Sequence, residues 1–258
     1  MTVEIIVHPT PEALAASVAA RLITSIIDAQ AARGDAHIVL TGGGMGGKSQ
    51  EAVVASPAAA AINWDRVDFY WGDERYLPLG HPDRNETQAR AAILDPLNIA
   101  QDRIHAMPAS DGPYGADIAA AARGHAAELA ALAAPGADIA VPVFDVLMLG
   151  VGPDAHVASL FPNHPQTAVT DVTVTDILDS PKPPPQRLTY TFPVLQSAAE
   201  VWLVAAGAEK AHGLAGALAP GANKIEYPAA GAVGTQRTLA LIDDAAAAEL
   251  PAAVLHRS

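Results

Sequence analysis

Cysteine is absent from this 258-residue chain, which removes disulfides, thiolate nucleophiles, iron–sulfur clusters and every cysteine-containing zinc site from consideration. A reducing compartment, the cytoplasm, is the expected location. There is no run of 18 uncharged apolar residues, and Met1-Thr2-Val3-Glu4 carries no basic region followed by an apolar stretch, so neither a membrane span nor an export signal is predicted. Lysine is scarce, at four, and 15 Lys+Arg stand against 28 Asp+Glu, for a formal net charge of −13. Such a chain repels phosphate backbones at long range, so no nucleic-acid partner is expected. Basic residues that do cluster are correspondingly informative. No serine sits in G-x-S-x-G and there is no H-E-x-x-H, so the hydrolase elbow and the helical zinc motif are both missing.

What is present is a 50% hydrophobic chain, long enough to bury about 70–75% of its unfolded surface. No boundary divides it, and a single domain over 1–258 is expected. Aromatics are only 5%, while alanine recurs in blocks at Ala58–Ala61, Ala119–Ala122 and Ala245–Ala248, which read as helix surface packed on a sheet. Short β-branched or aromatic runs, Val3–Val7, His37–Leu40, Val67–Trp71, Phe144–Leu149, Val201–Ala205 and Thr238–Ile242, read as strands. Helical patterns lie between most of them, at Pro11–Ala32, Asn85–Leu94, Tyr114–Leu132 and Ala208–Leu218. Strand alternating with helix predicts an α/β fold, a Rossmann-like three-layer α/β/α arrangement with a mainly parallel sheet. Ligands of such sheets bind beyond the carboxyl ends of the strands, which confines the search for chemistry to the loops there.

Four of those loops carry chemistry. Thr41-Gly42-Gly43-Gly44-Met45-Gly46-Gly47-Lys48-Ser49 reads as a phosphate cradle, since glycine lets the backbone approach an anion and the helix start offers unpaired N–H groups. Gly42 to Ser49 also matches G-x-x-x-x-G-K-[ST], the nucleotide-binding P-loop, so a nucleotide-dependent enzyme is one alternative. The second, Trp71-Gly72-Asp73-Glu74-Arg75, brings two carboxylates and a guanidinium to the ligand-facing edge, either for a ligand or as an ion pair with the cap of the next helix. The third, Gly150-Val151-Gly152-Pro153-Asp154-Ala155-His156, sets a carboxylate two residues from a histidine, the side chain suited to general-base work near neutrality. In the fourth, Lys210 opens a helix, where a positive charge is locally unfavourable unless it answers to an anion.

One segment departs from the alternation. Ser180-Pro181-Lys182-Pro183-Pro184-Pro185-Gln186-Arg187, with four prolines in five positions, must be an extended connection, either a linker or a rigid ligand-facing loop.

Together these motifs, in this order from about Val3 to Leu250, resemble the 6-phosphogluconolactonases. The glycine-rich turn, Trp-Gly-Asp-Glu-Arg, Gly-Val-Gly-Pro-Asp-Ala-His followed by Ala-Ser-Leu-Phe-Pro, Ser-Pro-Lys-Pro-Pro-Pro and Gly-x-x-Lys at 207–210 carry the likeness. The Pro-rich segment separates that family from the glucosamine-6-phosphate deaminases, which share its fold. The resemblance implies hydrolysis of 6-phospho-D-glucono-1,5-lactone to 6-phospho-D-gluconate without metal or organic cofactor. By the same likeness His156 is the general base and Asp154 its neighbour. Gly43, Gly44, Asp73, Arg75, Arg187 and Lys210 bind substrate and phosphate, and the Pro-rich segment is a rigid carrier for Arg187. The partner expected is a small sugar-phosphate lactone, and a monomer is expected. A sugar-phosphate isomerase or deaminase on the same fold, and a non-catalytic sugar-phosphate sensor, are the remaining alternatives.

Two positions depart from the family pattern. Ala155 stands where glycine is usual, and is strained if that position needs φ > 0. The glycine-rich turn continues as Met45-Gly46-Gly47-Lys48-Ser49 where Ser-Thr-Pro-like residues are common. Of the basic residues, Lys48, Arg75, Arg84, Lys182, Arg187 and Lys210 fall in or beside these loops, which predicts a local positive site on an acidic protein.

Overall fold

Strands buried on both faces must be apolar at successive positions rather than alternately, and the runs read above have that character. In the computed structural model, which describes residues 3–251 and the backbone of 256–257, they form one all-parallel sheet. Its strands are β1 (Glu4–His8), β2 (Ala36–Leu40), β3 (Val67–Trp71), β5 (Val146–Gly150), β8 (Glu200–Ala205), β9 (Arg237–Asp243) and β10 (His256–Arg257). Their spatial order is β10-β1-β9-β8-β5-β2-β3.

Residues along each strand alternate between two apolar clusters. Ile38, Phe69, Met148, Trp202 and Leu241 face one side, with α1 (Pro11–Arg33) and α2 (Gly43–Ala55). Val39, Tyr70, Leu149, Leu203 and Ile242 face the other, with α4 (Ile118–Leu132), α5 (Phe192–Ser197) and α6 (Ala211–Ala217). The expected three layers are therefore present. Among the described residues, no helix is long and apolar enough to cross a membrane.

Helix boundaries follow their caps. Thr10 accepts the amide of Ala13, Pro11 opens α1, and Gly34 at φ +91° closes it. The helix expected from Tyr114 begins at Ile118, because Asp117 takes the N-cap position and accepts the amide of Ala120. Asn85–Leu94 is helical as expected, α3 (Asn85–Ala89) running on into a wider π-turn at Arg90–Leu94. Of the alanine blocks, Ala119–Ala122 is helical and Ala58–Ala61 lies in a 3-10 turn over Pro57–Ala61. Ala245–Ala248 corrects the helical expectation: these residues form turns, with Asp243 accepting the amide of Ala246 and Pro251 following three residues after the block.

A second sheet was not foreseen. It is antiparallel, in the order β4-β7-β6, from β4 (Asp73–Arg75), β6 (Val174–Ile177) and β7 (Arg187–Tyr190). The Asp73-Glu74-Arg75 triad, read as loop, is thus a strand paired with the one that begins at Arg187, and Arg75 sits opposite Arg187 in the register. The Pro-rich segment is the connection between β6 and β7.

Candidate active site

The chain steps outward from β2 to β3 on one side and from β5 to β8 and β9 on the other, so the topological switch lies between β2 and β5. A crevice at the carboxyl ends of the strands is expected at that point. The two strand ends are tied there, Gly150 donating its amide to the Thr41 hydroxyl at 3.0 Å. Above them is a cleft of about 530 Å³, lined from the ends of β2, β5 and β8, from β4 and from the Pro-rich segment.

At the end of β2 the helix starts sooner than expected. Only Thr41 and Gly42 intervene before α2 begins at Gly43, so the glycines from 43 to 47 are helical rather than a loop. Gly43 has φ +78°, a conformation open to glycine at little cost, and the residues that open α2, Gly43 and Gly44, line the cleft. The P-loop is therefore not formed. Lys48, which would reach the phosphates in that motif, is half exposed and pairs with Glu12 at 3.1 Å, and Ser49 is buried.

Beyond β3, Glu74 and Asp73 divide in role. Glu74 is buried and accepts the amides of Arg75, Asn85 and Glu86, so it caps α3 from a distance. Burial pushes its carboxyl up, opposed by Arg84 and by those three N–H bonds. Arg84 itself is fully buried, donating to the carbonyls of Leu77 and Met107, which removes it from the expected positive site. Asp73 lines the cleft, where its Oδ2 accepts the Ser159 hydroxyl at 2.6 Å and Asn85 donates to its backbone carbonyl at 2.8 Å. Arg75 also lines the cleft. One guanidinium N–H goes to the carbonyl of Asp83, and its buried Nε is without a partner among the described residues.

Beyond β5 the chain reverses within a few residues. Ala155 N–H bonds the Gly152 carbonyl at 2.9 Å, Gly152 N–H bonds the His156 carbonyl at 2.9 Å, and Val151 pairs with Val157. This tight return folds Asp154 onto His156, leaving Asp154 Oδ1 2.5 Å from His156 Nδ1. Ala155 does have φ +63°, the left-handed position after a tight turn where glycine is favoured. The imidazole lies on the Phe161 ring, centroids 4.7 Å apart, and is 17% exposed. Burial would raise the Asp154 carboxyl, but the His156 hydrogen bond and the charges of His156 and Lys182 hold it well below the usual carboxylate range.

Arg187 relates to the Pro-rich segment in the opposite sense to that expected. Its Nε donates to the carbonyl of Pro184, and its Nη2 to those of Lys182 and Pro183, at 2.9–3.1 Å. Nη1 reaches the Ser159 hydroxyl at 3.4 Å and lies 3.9 Å from Asp73 Oδ2. Four of the five guanidinium N–H groups are thus spent inside the chain. The arginine holds the segment in place, and the segment carries Lys182, whose Nζ is 3.3 Å from both Asp154 Oδ1 and His156 Nδ1. Burial lowers the Arg187 pKa and Asp73 opposes that shift.

Lys210 closes the far side of the cleft, from a 3-10 turn over Ala208–Lys210 that precedes α6. Burial lowers its ammonium pKa, with Glu209 opposing and Lys182 adding to the shift. The turn beneath it is held by Asp243, which accepts the Gly207 amide.

All eight residues expected at the site lie in or against the one cleft: seven line it, and Asp154 stands behind His156. The lining cations Lys48, Arg75, Lys182, Arg187 and Lys210 face the carboxylates of Asp73 and Glu209, so the local charge is positive as expected. Sequence reasoning missed Ser159, Asn85 and Asp243 as supports and gave Lys182 no assignment. Ser159 and Asp243 are short polar side chains that reach partners 30 or more residues away, and Asn85 reaches back 12 residues to β4, so nothing local marks them.

Comparison with known proteins bears on the same region. A family model described as glucosamine-6-phosphate isomerases/6-phosphogluconolactonase matches residues 9–241. The chain is 55% identical over 250 residues to the 6-phosphogluconolactonase of Streptomyces coelicolor, covering 97% of this chain and 95% of the relative. It is 46% identical to the 6-phosphogluconolactonase of Mycobacterium tuberculosis, covering 97% and 100%. Among solved structures, 6-phosphogluconolactonase from Trypanosoma brucei superposes with a TM-score of 0.85 at 28% identity, covering 97% and 99%. A monomeric glucosamine-6-phosphate deaminase superposes at 0.76 with 18% identity, a likeness of fold.

Proposed function

The chain belongs to the glucosamine-6-phosphate isomerase/6-phosphogluconolactonase family, and we propose that within it the protein hydrolyses 6-phospho-D-glucono-1,5-lactone to 6-phospho-D-gluconate, a step of the oxidative pentose phosphate pathway. The observation that carries this reading is the His156–Asp154 pair, set at the switch-point cleft among cations suited to a phosphate.

Asp154 stays ionised and can only accept, so the shared proton sits on His156 Nδ1 and Nε2 keeps its lone pair. Nε2 removes a proton from water as the water attacks the lactone carbonyl. A backbone N–H stabilises the oxyanion, and the ring oxygen leaves when the tetrahedral species collapses, taking the proton from the imidazolium. General-base help of this kind is worth about 10²–10⁴-fold and each oxyanion donor about 10²–10³-fold. An aldonolactone is already reactive, so these terms suffice.

The phosphate is a handle. We assign it to the Gly43 and Gly44 amides at the start of α2, to the Arg75 guanidinium and to Lys210, which together position the ester for attack. Arg187 contributes its one uncommitted N–H and anchors the Pro-rich segment, while Asp73 fixes Arg187 through Ser159. The cleft draws its lining from residues spread between Pro11 and Lys210, in keeping with one domain, and the working unit proposed is a monomer. The cytoplasm is the proposed location, in keeping with the lack of cysteine.

The test is acid release from 6-phosphogluconolactone generated in situ, with and without the protein. Acceleration over spontaneous hydrolysis is expected. A rate equal to the spontaneous one, with ammonia released from glucosamine 6-phosphate instead, would overturn the reading in favour of a deaminase.

A further inference from the structure

We propose that Lys182 is a positioning residue that keeps the His156 ring neutral and able to accept a proton, by setting a second positive charge against its Nδ1 edge. This role rests on the reading of His156 as the general base.

The backbone that carries the lysine is held at both its N–H and its carbonyl. Ser180 Oγ accepts the Lys182 amide at 3.2 Å and donates to the Lys182 carbonyl at 2.9 Å, and Arg187 Nη2 donates to the same carbonyl at 3.1 Å. Proline on both sides, at 181 and 183, removes most of the remaining backbone freedom. The ammonium then sits 3.3 Å from Asp154 Oδ1 and 3.3 Å from His156 Nδ1.

With a proton on Nδ1, lysine and imidazole are both donors toward Asp154. The Lys182 bond therefore goes to the carboxylate, and its approach to the ring is one positive group beside another that is about to become positive. A lone carboxylate would favour the imidazolium and leave the base already protonated in the resting enzyme. Lys182 opposes that bias. The other charged groups around the ring are Arg187 across Phe161, Lys210 beyond Asp154 with Glu209 beside it, and His164 on the far edge of Phe161. Among the described residues, Lys182 Nζ is the cation that hydrogen-bond geometry brings to Nδ1, beside the Asp154 carboxylate.

The experiment is a titration of the His156 ring by NMR, without substrate, in the wild type, Lys182→Met and Lys182→Arg, the resonance being identified by its loss in His156→Ala. The pH dependence of kcat/KM for the lactone is measured alongside. In Lys182→Met the His156 midpoint should rise by about 0.5–1 pH unit, the size expected for loss of one partly solvated charge at this distance. The acidic limb of kcat/KM should move up with it, while Lys182→Arg, which keeps the charge, moves both less. An unmoved NMR midpoint in Lys182→Met overturns the proposal and leaves the functional reading intact. A moved midpoint with an unmoved acidic limb overturns it too, because the ring so tuned is then not the base. Wild-type protein that fails to accelerate lactone hydrolysis overturns the functional reading and the proposal with it.

Discussion

His156 and Asp154 are two residues apart in sequence, and the tight return at Gly152–Ala155 folds them into a pair with Nδ1 and Oδ1 2.5 Å apart. The pair has a consequence for stability against pH. The Asp154 carboxyl is held below its ordinary range in the folded protein, so the stability it contributes is full above the unfolded value of about 3.9 and is lost as the pH falls through the lower folded value. Melting temperatures of the wild type and Asp154→Asn should differ by an amount that does not narrow from pH 8 to pH 5 and that closes below about pH 4. A gap that closed between pH 7 and pH 5 would contradict the assignment.

Gly152 is where the site can be disturbed without touching either partner. A Cβ there would lie 2.0 Å from His156 Nδ1 and 2.5 Å from Asp154 Oδ1, and the imidazole would have to move. Gly152→Ala should fold, as judged by a melting temperature near the wild-type value, yet lose about 100-fold or more in kcat, the scale of general-base help.

Ala155, at φ +63°, is a case in which magnitudes cancel. Left-handed backbone costs an alanine about 1–2 kcal/mol. Its fully buried methyl returns about 0.8 kcal/mol, and glycine would lose about 0.4–1 kcal/mol more in chain entropy. Ala155→Gly should therefore shift stability by less than about 1 kcal/mol in chemical denaturation. Ala155→Val, which adds β-branching at φ +63° in a closed space, should cost about 3 kcal/mol or more.

Arg187 ties together the carbonyls of residues 182, 183 and 184, Ser159 and Asp73. Replacing it with methionine removes these part-buried, charge-assisted hydrogen bonds, a loss of about 1.5–3 kcal/mol. Denaturant melts should show that loss, and kcat should fall together with a rise in KM, because Lys182 is no longer held at His156. A variant of unchanged stability with only KM raised would make Arg187 a simple phosphate ligand.

The sheet was legible because strands buried on both faces write themselves as continuous β-branched runs, and the binding of ligands beyond the carboxyl ends of such strands confined the search to the loops there. His156, Asp154, Arg75 and Lys210 were found because each stands at a strand end. The small antiparallel sheet was not legible: β4 is three residues long and polar, and its pairing with Arg187–Tyr190 spans more than 100 positions. For the same reason, the direction of support between Arg187 and the prolines could not be read from their adjacency. The glycine-rich segment matched a nucleotide motif letter for letter, and only the early start of α2 and the Lys48–Glu12 pair exclude it.

The central claim, that His156 activates water for attack on the lactone, is tested most directly by kcat for His156→Ala on freshly generated 6-phosphogluconolactone. The account predicts a fall of about 10²–10⁴-fold with KM little changed, since the residues proposed to hold the phosphate, Gly43, Gly44, Arg75 and Lys210, are untouched. Near-normal turnover in that variant would contradict it.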